Sequence, residues 1–453
     1  MKEQDQFILD IKRLGINGEG IGFYNKLAVF VDGAIPGEGH EVVITRLEPK
    51  MAFADTVQIK KESSARVTPK CPYYGECGGC GVMHISYEEM LVQKRNLVIE
   101  ALNRYTRLNT RSFEIKPTVA SPKEYGYRNK SQLAIKKDET SHVCMMKKKS
   151  KDVLYVDSCE VQNPLINKLN NEILKIVDEL GISPYLYKYN RGVLRHLVIR
   201  VNKNNEALVC FVCKDKTPKI KELAKRVIEL KGVVSVYENF NDSLKEGVIF
   251  GNVTNHLEGK EYIVETLGRI KYQIYPTTFF QLNTEQAENM YNLVLKACKL
   301  SRREIVLDAY CGVGTIGLYL ANMAKEVIGI ENNAQSVIAA NANAKLNKIN
   351  NAKFYEGDVT TLLPKMIEEG TNFDVIVLDP PRTGLTEECI DTLLNSNVKR
   401  IIYVSCNPST LAKNLEALNG KYNVNSITPI DMFPQTALVE VVTILTLKNP
   451  QNK

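Results

Sequence analysis

The sequence predicts an α/β chain. A Rossmann-like, largely parallel sheet forms its C-terminal part, preceded by an OB-like β-barrel and an irregular α+β centre. Three observations carry this expectation. Residues 6–60 are short alternating apolar and polar runs broken by glycines. From about 115 to 270 strand and helix patterns mix without a fixed order. From residue 284 onward, strand and helix patterns alternate regularly, as in βα units on a parallel sheet.

The runs "QFILDIKRLG", "GIGFYN", "KLAVFVDGAI", "HEVVITRLE" and "FADTVQIKK" read as five short strands, with "NGEG" and "PGEG" as turns. That many strands in so short a span favour a small closed barrel, either a folding accessory or a nucleic-acid-binding module. The polar stretch "KKESSARVTPKCPYYGECGGCG" links it to a cysteine cluster. Residues 87–105 carry apolar side chains at helical spacing, with Lys and Arg on the opposite, solvated face. The central region holds the basic patches "YGYRNKSQLAIKK", "MKKKSKD" and "YNRGVLRHLVIRV". Most such runs are solvated faces, but Tyr125, Tyr127 and Arg128 interleave on a strand in a way that suits RNA backbone and base stacking. In the regular part, helix "TEQAENMYNLVLKACKL" precedes strands "EIVLDAY", "EVIGIE", "KFYEGD", "FDVIVLDPP" and "RIIYVSC", with helices between them and two strands to finish. Ligands of such a sheet lie beyond the carboxyl ends of its strands.

Composition narrows the function classes. At 453 residues the chain is long enough for two or three domains. No apolar run approaches the roughly 20 residues of a membrane helix, and "MKEQDQFILDIKRLG" lacks the apolar core of a secretory signal. The expected compartment is the cytoplasm, with no membrane partner. A formal charge of +7 permits a polyanionic partner without demanding one. Eleven cysteines are then metal, cluster or catalytic candidates before they are disulfides. Nothing suggests a coiled coil, and a monomer is expected.

"DAYCGVGTIG" (308–317) follows the first strand of the regular part. Gly312 and Gly314 would let backbone approach a ligand, and Asp308 closes the strand. No lysine follows the second glycine, which argues against a P-loop. Glu331 ends the next strand, where a carboxylate takes a ribose diol, and Asp358 ends the third, suited to an adenine amine. A loop lacking the third glycine, with two acidic strand ends, favours S-adenosylmethionine over a nicotinamide dinucleotide; either acid alone could simply cap a helix. Asp379-Pro380-Pro381-Arg382 ends the fourth strand and stiffens backbone facing a planar substrate. Arg382 stands where amine-directed base methylases place an aromatic.

Cys406 sits where strand "RIIYVSC" opens into a loop. It is either a buried structural thiol or a nucleophile. Carbon 5 of a pyrimidine attacks a methyl donor well only after addition at carbon 6, and a thiolate is a natural adduct former. The carbon 5 proton must then leave to a base. Glu440, flanked by Leu438-Val439 and Val441-Val442, is either an outward-facing strand residue or a carboxyl at a strand end in a partly apolar setting, which would raise its pKa towards that duty.

These residues together resemble the RNA 5-methyluridine methyltransferases, and within them the bacterial 23S ribosomal-RNA branch. "FFQLN" (279–283), "DAYCGVGTIG", "GIE", "GD", "LDPPR", "SCNP" and the "VE" ending at Glu440 stand in the family's order. The resemblance implies three domains: a TRAM-like RNA-binding barrel (1–60), a central α+β iron–sulfur domain (61–270), and a class I S-adenosylmethionine-dependent methyltransferase domain (271–453). It implies Cys406 as nucleophile and Glu440 as proton acceptor, with Gln281, Tyr310, Glu331, Asp358 and Asp379 on the cofactor. Asp379 and Arg382 could also orient the uracil, and Phe280 could pack on the flipped base. Cys71, Cys77, Cys80 and Cys159 match the family's [4Fe–4S] ligands; by spacing alone a cluster and zinc fit equally. His84 is expected to pack rather than ligate. Relatives often carry His-Val where this chain has Leu438-Val439. The implied reaction is methylation of carbon 5 of a uridine in 23S ribosomal RNA. A transfer-RNA methylase of the same chemistry, a silent assembly factor and an amine-directed methylase are the alternatives.

Overall fold

The computed structural model describes residues 2–245 and 247–448. Strands β1 (Gln6–Leu14), β2 (Gly20–Tyr24), β3 (Leu27–Val31), β4 (Gly39–Glu48) and β5 (Met51–Lys61) close a barrel in the order β1-β2-β3-β5-β4. Alternation decides its inside: Leu9 and Ile11, Val29 and Val31, Val42 and Ile44, and Ala52 and Ala54 are buried at every second position. Gly22 lies where a Cβ would meet the Asp10 carbonyl at 2.5 Å, so the close β1–β2 crossing needs glycine.

Helix α1 (Tyr87–Tyr105) begins at Ser86, whose side chain accepts the Glu89 N–H at 3.4 Å. It packs against the C-terminal sheet's last helix, and the two-residue strand β6 (Glu114–Ile115) after it adds to that sheet. The central sheet contains β7 (Lys130–Lys137), β8 (Ser141–Met146), β9 (Val153–Tyr155), β10 (Leu194–Val201), β11 (Ala207–Cys213), β12 (Val233–Phe240) and β13 (Val253–Gly259), in the order β13-β12-β11-β10-β7-β8-β9. Helices α2 (Pro164–Glu179) and α3 (Pro218–Val227) cover one face through Ile166, Ile173, Ile220 and Leu223. The other face, with Val198, Leu208 and Val212, joins the core of the C-terminal part. That two-sided burial explains why β10 and β11 read as continuous apolar runs.

Hairpin β14 (Ile263–Leu267) and β15 (Ile270–Ile274) and helix α4 (Thr284–Cys298) lead into the regular rhythm. There follow β16 (Ile305–Ala309), α5 (Thr315–Ala321), β17 (Glu326–Glu331), α6 (Ala334–Leu346), β18 (Ala352–Glu356) and α7 (Val359–Glu368). Then come β19 (Val375–Leu378), α8 (Glu387–Asn395), β20 (Arg400–Ser405), α9 (Pro408–Leu418), β21 (Tyr422–Ile430) and β22 (Glu440–Leu447). The sheet order is β18-β17-β16-β19-β20-β22-β21-β6. Strands β16 to β20 run parallel, while β22 is antiparallel to both neighbours. The order reverses beside β16, which opens a ligand crevice at the carboxyl ends of β16 and β19.

Candidate active site

The loop after β16 turns sharply. Tyr310 (φ 64°), Gly312 (φ 55°) and Gly314 (φ 78°) all occupy the left-handed region. A Cβ on Gly314 would strike the Phe354 ring at 2.8 Å, whereas one on Gly312 would meet nothing, leaving that side of the loop open. Asp308 is wholly buried; its Oδ2 accepts the Gly317 N–H at 2.7 Å and its Oδ1 has no partner. Burial pushes its carboxyl up to about 8.

Glu331 ends β17 and accepts the Gly312 N–H (3.1 Å) and the Asn333 N–H (2.9 Å). It therefore stands against the glycine loop. Asp358 caps α7, accepting from the Thr360 N–H (2.7 Å) and hydroxyl (2.6 Å), and these bonds lower its pKa. The side chain of Gln281 reaches the buried Tyr291 hydroxyl, which also lies beside Thr315 and in the field of Asp379 and Asp308. Tyr310 lies in the field of Asp358, and Asp308 in that of Asp379 and Glu331. Tyr291 had no local signal to mark it, since in sequence it is one more apolar position of α4.

Burial pushes Asp379, just past β19, up to about 7. The loop that follows is tied to the next one: Asn407 Nδ2 and Thr410 Oγ1 donate to the Arg382 carbonyl at 3.1 and 3.3 Å. Asn407 caps α9 by accepting the Ser409 N–H at 3.1 Å, so the chain is fixed on both sides of Cys406. The β20–β22 register sets Ser405 opposite Val441, and the β21–β22 register sets Ile430 opposite Glu440. Cys406 and Glu440 therefore leave adjacent strand ends side by side. Burial raises the Cys406 thiol, the nearby Glu440 and Asp379 add to this, and Arg382 opposes it. Burial, then Asp379, pushes Glu440 up to about 8 against Arg382 and Lys94. The partly exposed Cys406 opens into a cavity of about 360 Å³ between the barrel, α1 and the loops, lined also by Arg13, Phe30, Arg104, Arg382 and Leu438.

Cys71, Cys77, Cys80 and Cys159 line a second cavity of about 450 Å³, which shares Arg382 and Leu438 with the first. Burial, followed by the neighbouring Cys159, Cys77 and Cys71, pushes Cys80 up to about 12. Burial and neighbouring thiols raise Cys77, Cys80 and Cys159, which suits a cationic centre that would draw off thiol protons. Among the described residues, no three His, Cys, Asp or Glu side chains are grouped to hold a metal ion.

Two expectations are corrected, Phe280 and Tyr127, and the packing role expected of His84 holds. Phe280 is buried and packs on Tyr272 with ring centroids 5.6 Å apart, because the apolar core below α4 takes it; the exposed aromatic is Phe279. Tyr127 is buried too and donates to the Pro434 carbonyl at 3.0 Å, so its ring is not a stacking surface. His84 is buried against Tyr74, with burial lowering its pKa to about 4.

A doubly wound sheet with a glycine loop after its first strand and acids at the following strand ends defines an S-adenosylmethionine-dependent methyltransferase fold. Residues 252–448 match the tRNA (uracil-5-)-methyltransferase family, and residues 8–57 match the TRAM domain. An uncharacterized RNA methyltransferase of Bacillus anthracis is 40% identical over 446 residues, covering 98% of this chain and 97% of its own. One of Halalkalibacterium halodurans is 41% identical over 450 residues, with coverages of 98% and 97%. The crystal structure of Pyrococcus abyssi tRNA (uracil-54, C5)-methyltransferase with S-adenosyl-L-homocysteine superposes with a TM-score of 0.77 at 31% identity, covering 97% of this chain and 99% of that one. The chain belongs to the TRAM-containing RNA (uracil-5-)-methyltransferases, S-adenosylmethionine-dependent enzymes of uridine carbon 5. No described helix is long and apolar enough to cross a membrane.

Proposed function

We propose that this protein methylates a uridine in folded RNA through a temporary bond between Cys406 and the uracil ring, with Glu440 as base. The observation that carries the reading is the placement of a partly exposed thiol beside a buried carboxyl at adjacent strand ends, opening into the cavity between the barrel, α1 and the loops. The target base leaves its stack at a cost of about a few kcal/mol, offset by RNA contacts of the barrel and centre. Cys406 Sγ adds to carbon 6, and the ring's electrons move to make carbon 5 an enolate carbon. S-adenosylmethionine, when bound, supplies an electrophilic methyl group. Carbon 5 takes that methyl group, leaving the neutral thioether S-adenosylhomocysteine; Glu440 accepts the carbon 5 proton, and the carbon 6–sulfur bond breaks to return the thiolate. Asp379 and Arg382 orient the uracil. Gln281, Tyr310, Glu331, Asp358 and Asp379 hold the cofactor. The working division is 1–60 for RNA capture, 61–270 for the centre and 271–453 for chemistry.

Cys71, Cys77, Cys80 and Cys159 would hold a [4Fe–4S] cluster that staples the centre to the wall shared with the active site. Eleven cysteines, all free thiols, suit a reducing compartment such as the cytoplasm.

Transfer RNA is the better-supported substrate. The likeness to the Pyrococcus transfer-RNA enzyme runs through the barrel and the cysteine segment, so neither feature singles out a ribosomal enzyme. The 23S ribosomal-RNA reading rests on motif likeness alone. Radiolabelled methyl transfer to unmodified transfer RNA and to unmodified 23S RNA separates them: the proposal expects label in 5-methyluridine of the former, and label confined to 23S RNA would overturn that choice.

A further inference from the structure

Lys94 lies on α1, far in sequence from the catalytic strands, and its side chain has 0% exposure. Its Nζ donates to Asp431 Oδ1 and, at 3.2 Å, to the Phe433 carbonyl. Both acceptors belong to the loop between β21 and β22, which ends at Glu440. Asp431 directly follows Ile430, the residue paired opposite Glu440, and its other oxygen has no partner. Tyr87, two turns earlier on the same helical face, lies beside Asp431, and its hydroxyl accepts the Ser121 N–H at 2.7 Å. Apolar residues fill neighbouring inward positions of α1, at Met90 and Leu97. Burying an ammonium there carries a desolvation cost that a leucine would avoid.

We propose that Lys94 is a positioning residue for the catalytic base: it fixes the β21–β22 loop through Asp431 and Phe433, and its charge favours the ionised form of Glu440 that takes the carbon 5 proton. Asp379 disfavours the negative charge of Glu440, while Arg382 and Lys94 favour it, and the neighbouring Cys406 thiol is in turn raised by Glu440. Arg382 lines the open cavity and is available to substrate. Lys94 is sealed away, so bound RNA cannot draw it off.

The inference rests on the covalent reading, and its test separates the two. The pH dependence of single-turnover methylation is measured for Lys94→Met, Lys94→Arg and the double variant Lys94→Met/Asp431→Leu, which replaces the ion pair by apolar groups and guards against misfolding. Both variants lacking the charge are expected to move the acidic limb upward by about one pH unit, the size of a coupling between partly screened buried charges. At neutral pH they would lose about tenfold in the rate constant, with the RNA KM little changed. The arginine variant would keep the limb in place. An unshifted limb in the folded double variant would overturn the inference. Absence of any Cys406-dependent adduct in Glu440→Gln would instead overturn the covalent reading beneath it.

Discussion

Cys406 and Glu440 approach each other because β20 and β22 are antiparallel neighbours whose register places Ser405 against Val441. Residues 34 positions apart in sequence are brought to one sheet edge by a helix, a strand and a loop. Burial raises both groups, and the Glu440 charge adds to the cost of ionising Cys406. Arg382 is the cation that both share.

Replacing Arg382 should therefore act on both. Its charge holds down the pKa values of Cys406 and Glu440. In Arg382→Ala both rise, so alkylation of Cys406 by iodoacetamide at neutral pH should slow by about threefold to tenfold. The acidic limb of methylation should move to higher pH. The alkylation rate measured against pH checks the sign.

Asp308 gives a stability prediction. Its folded carboxyl sits near 8 against an ordinary 3.8. Between those values the folded chain keeps a proton that the unfolded chain releases, so stability falls as pH rises across the window. Asp308→Asn does not titrate, and its loss of stability from pH 5 to pH 8 should be smaller, by up to about 1.4 kcal/mol per pH unit. Urea midpoints at the two pH values measure this, and parallel slopes would contradict it.

Much of the catalytic part was legible because βα units write themselves as alternating patterns, and because strand ends of a doubly wound sheet are functional positions. Cys406, Asp379 and Glu331 each stand just where a strand run stops. Lys94 was not legible. On an amphipathic helix it read as one of the solvated basic residues, and its partner Asp431 lies 337 positions away. Phe280 was misplaced for a related reason: Phe279 and Phe280 are adjacent, and only packing against Tyr272 decides which ring turns inward. Strand β6, of two residues, carries too short a pattern to announce that it joins the sheet of β21.

The cysteine cavity makes an independent prediction. Protein purified without oxygen should carry iron and acid-labile sulfide, and Cys80→Ser should lose both. Because the cavity shares Arg382 and Leu438 with the active site, the serine variant should also show weaker methylation. Elemental analysis checks the first part, and zinc with no sulfide would overturn the cluster.

The most direct test of the covalent route is a denaturing gel of Glu440→Gln incubated with substrate RNA and S-adenosylmethionine. The route expects a methylated protein–RNA adduct that survives denaturation, because the proton that permits release is never removed, and it expects the band to vanish when Cys406→Ala is added. An adduct-free gel from a folded, RNA-binding variant, or steady turnover by Cys406→Ala, would contradict the central claim.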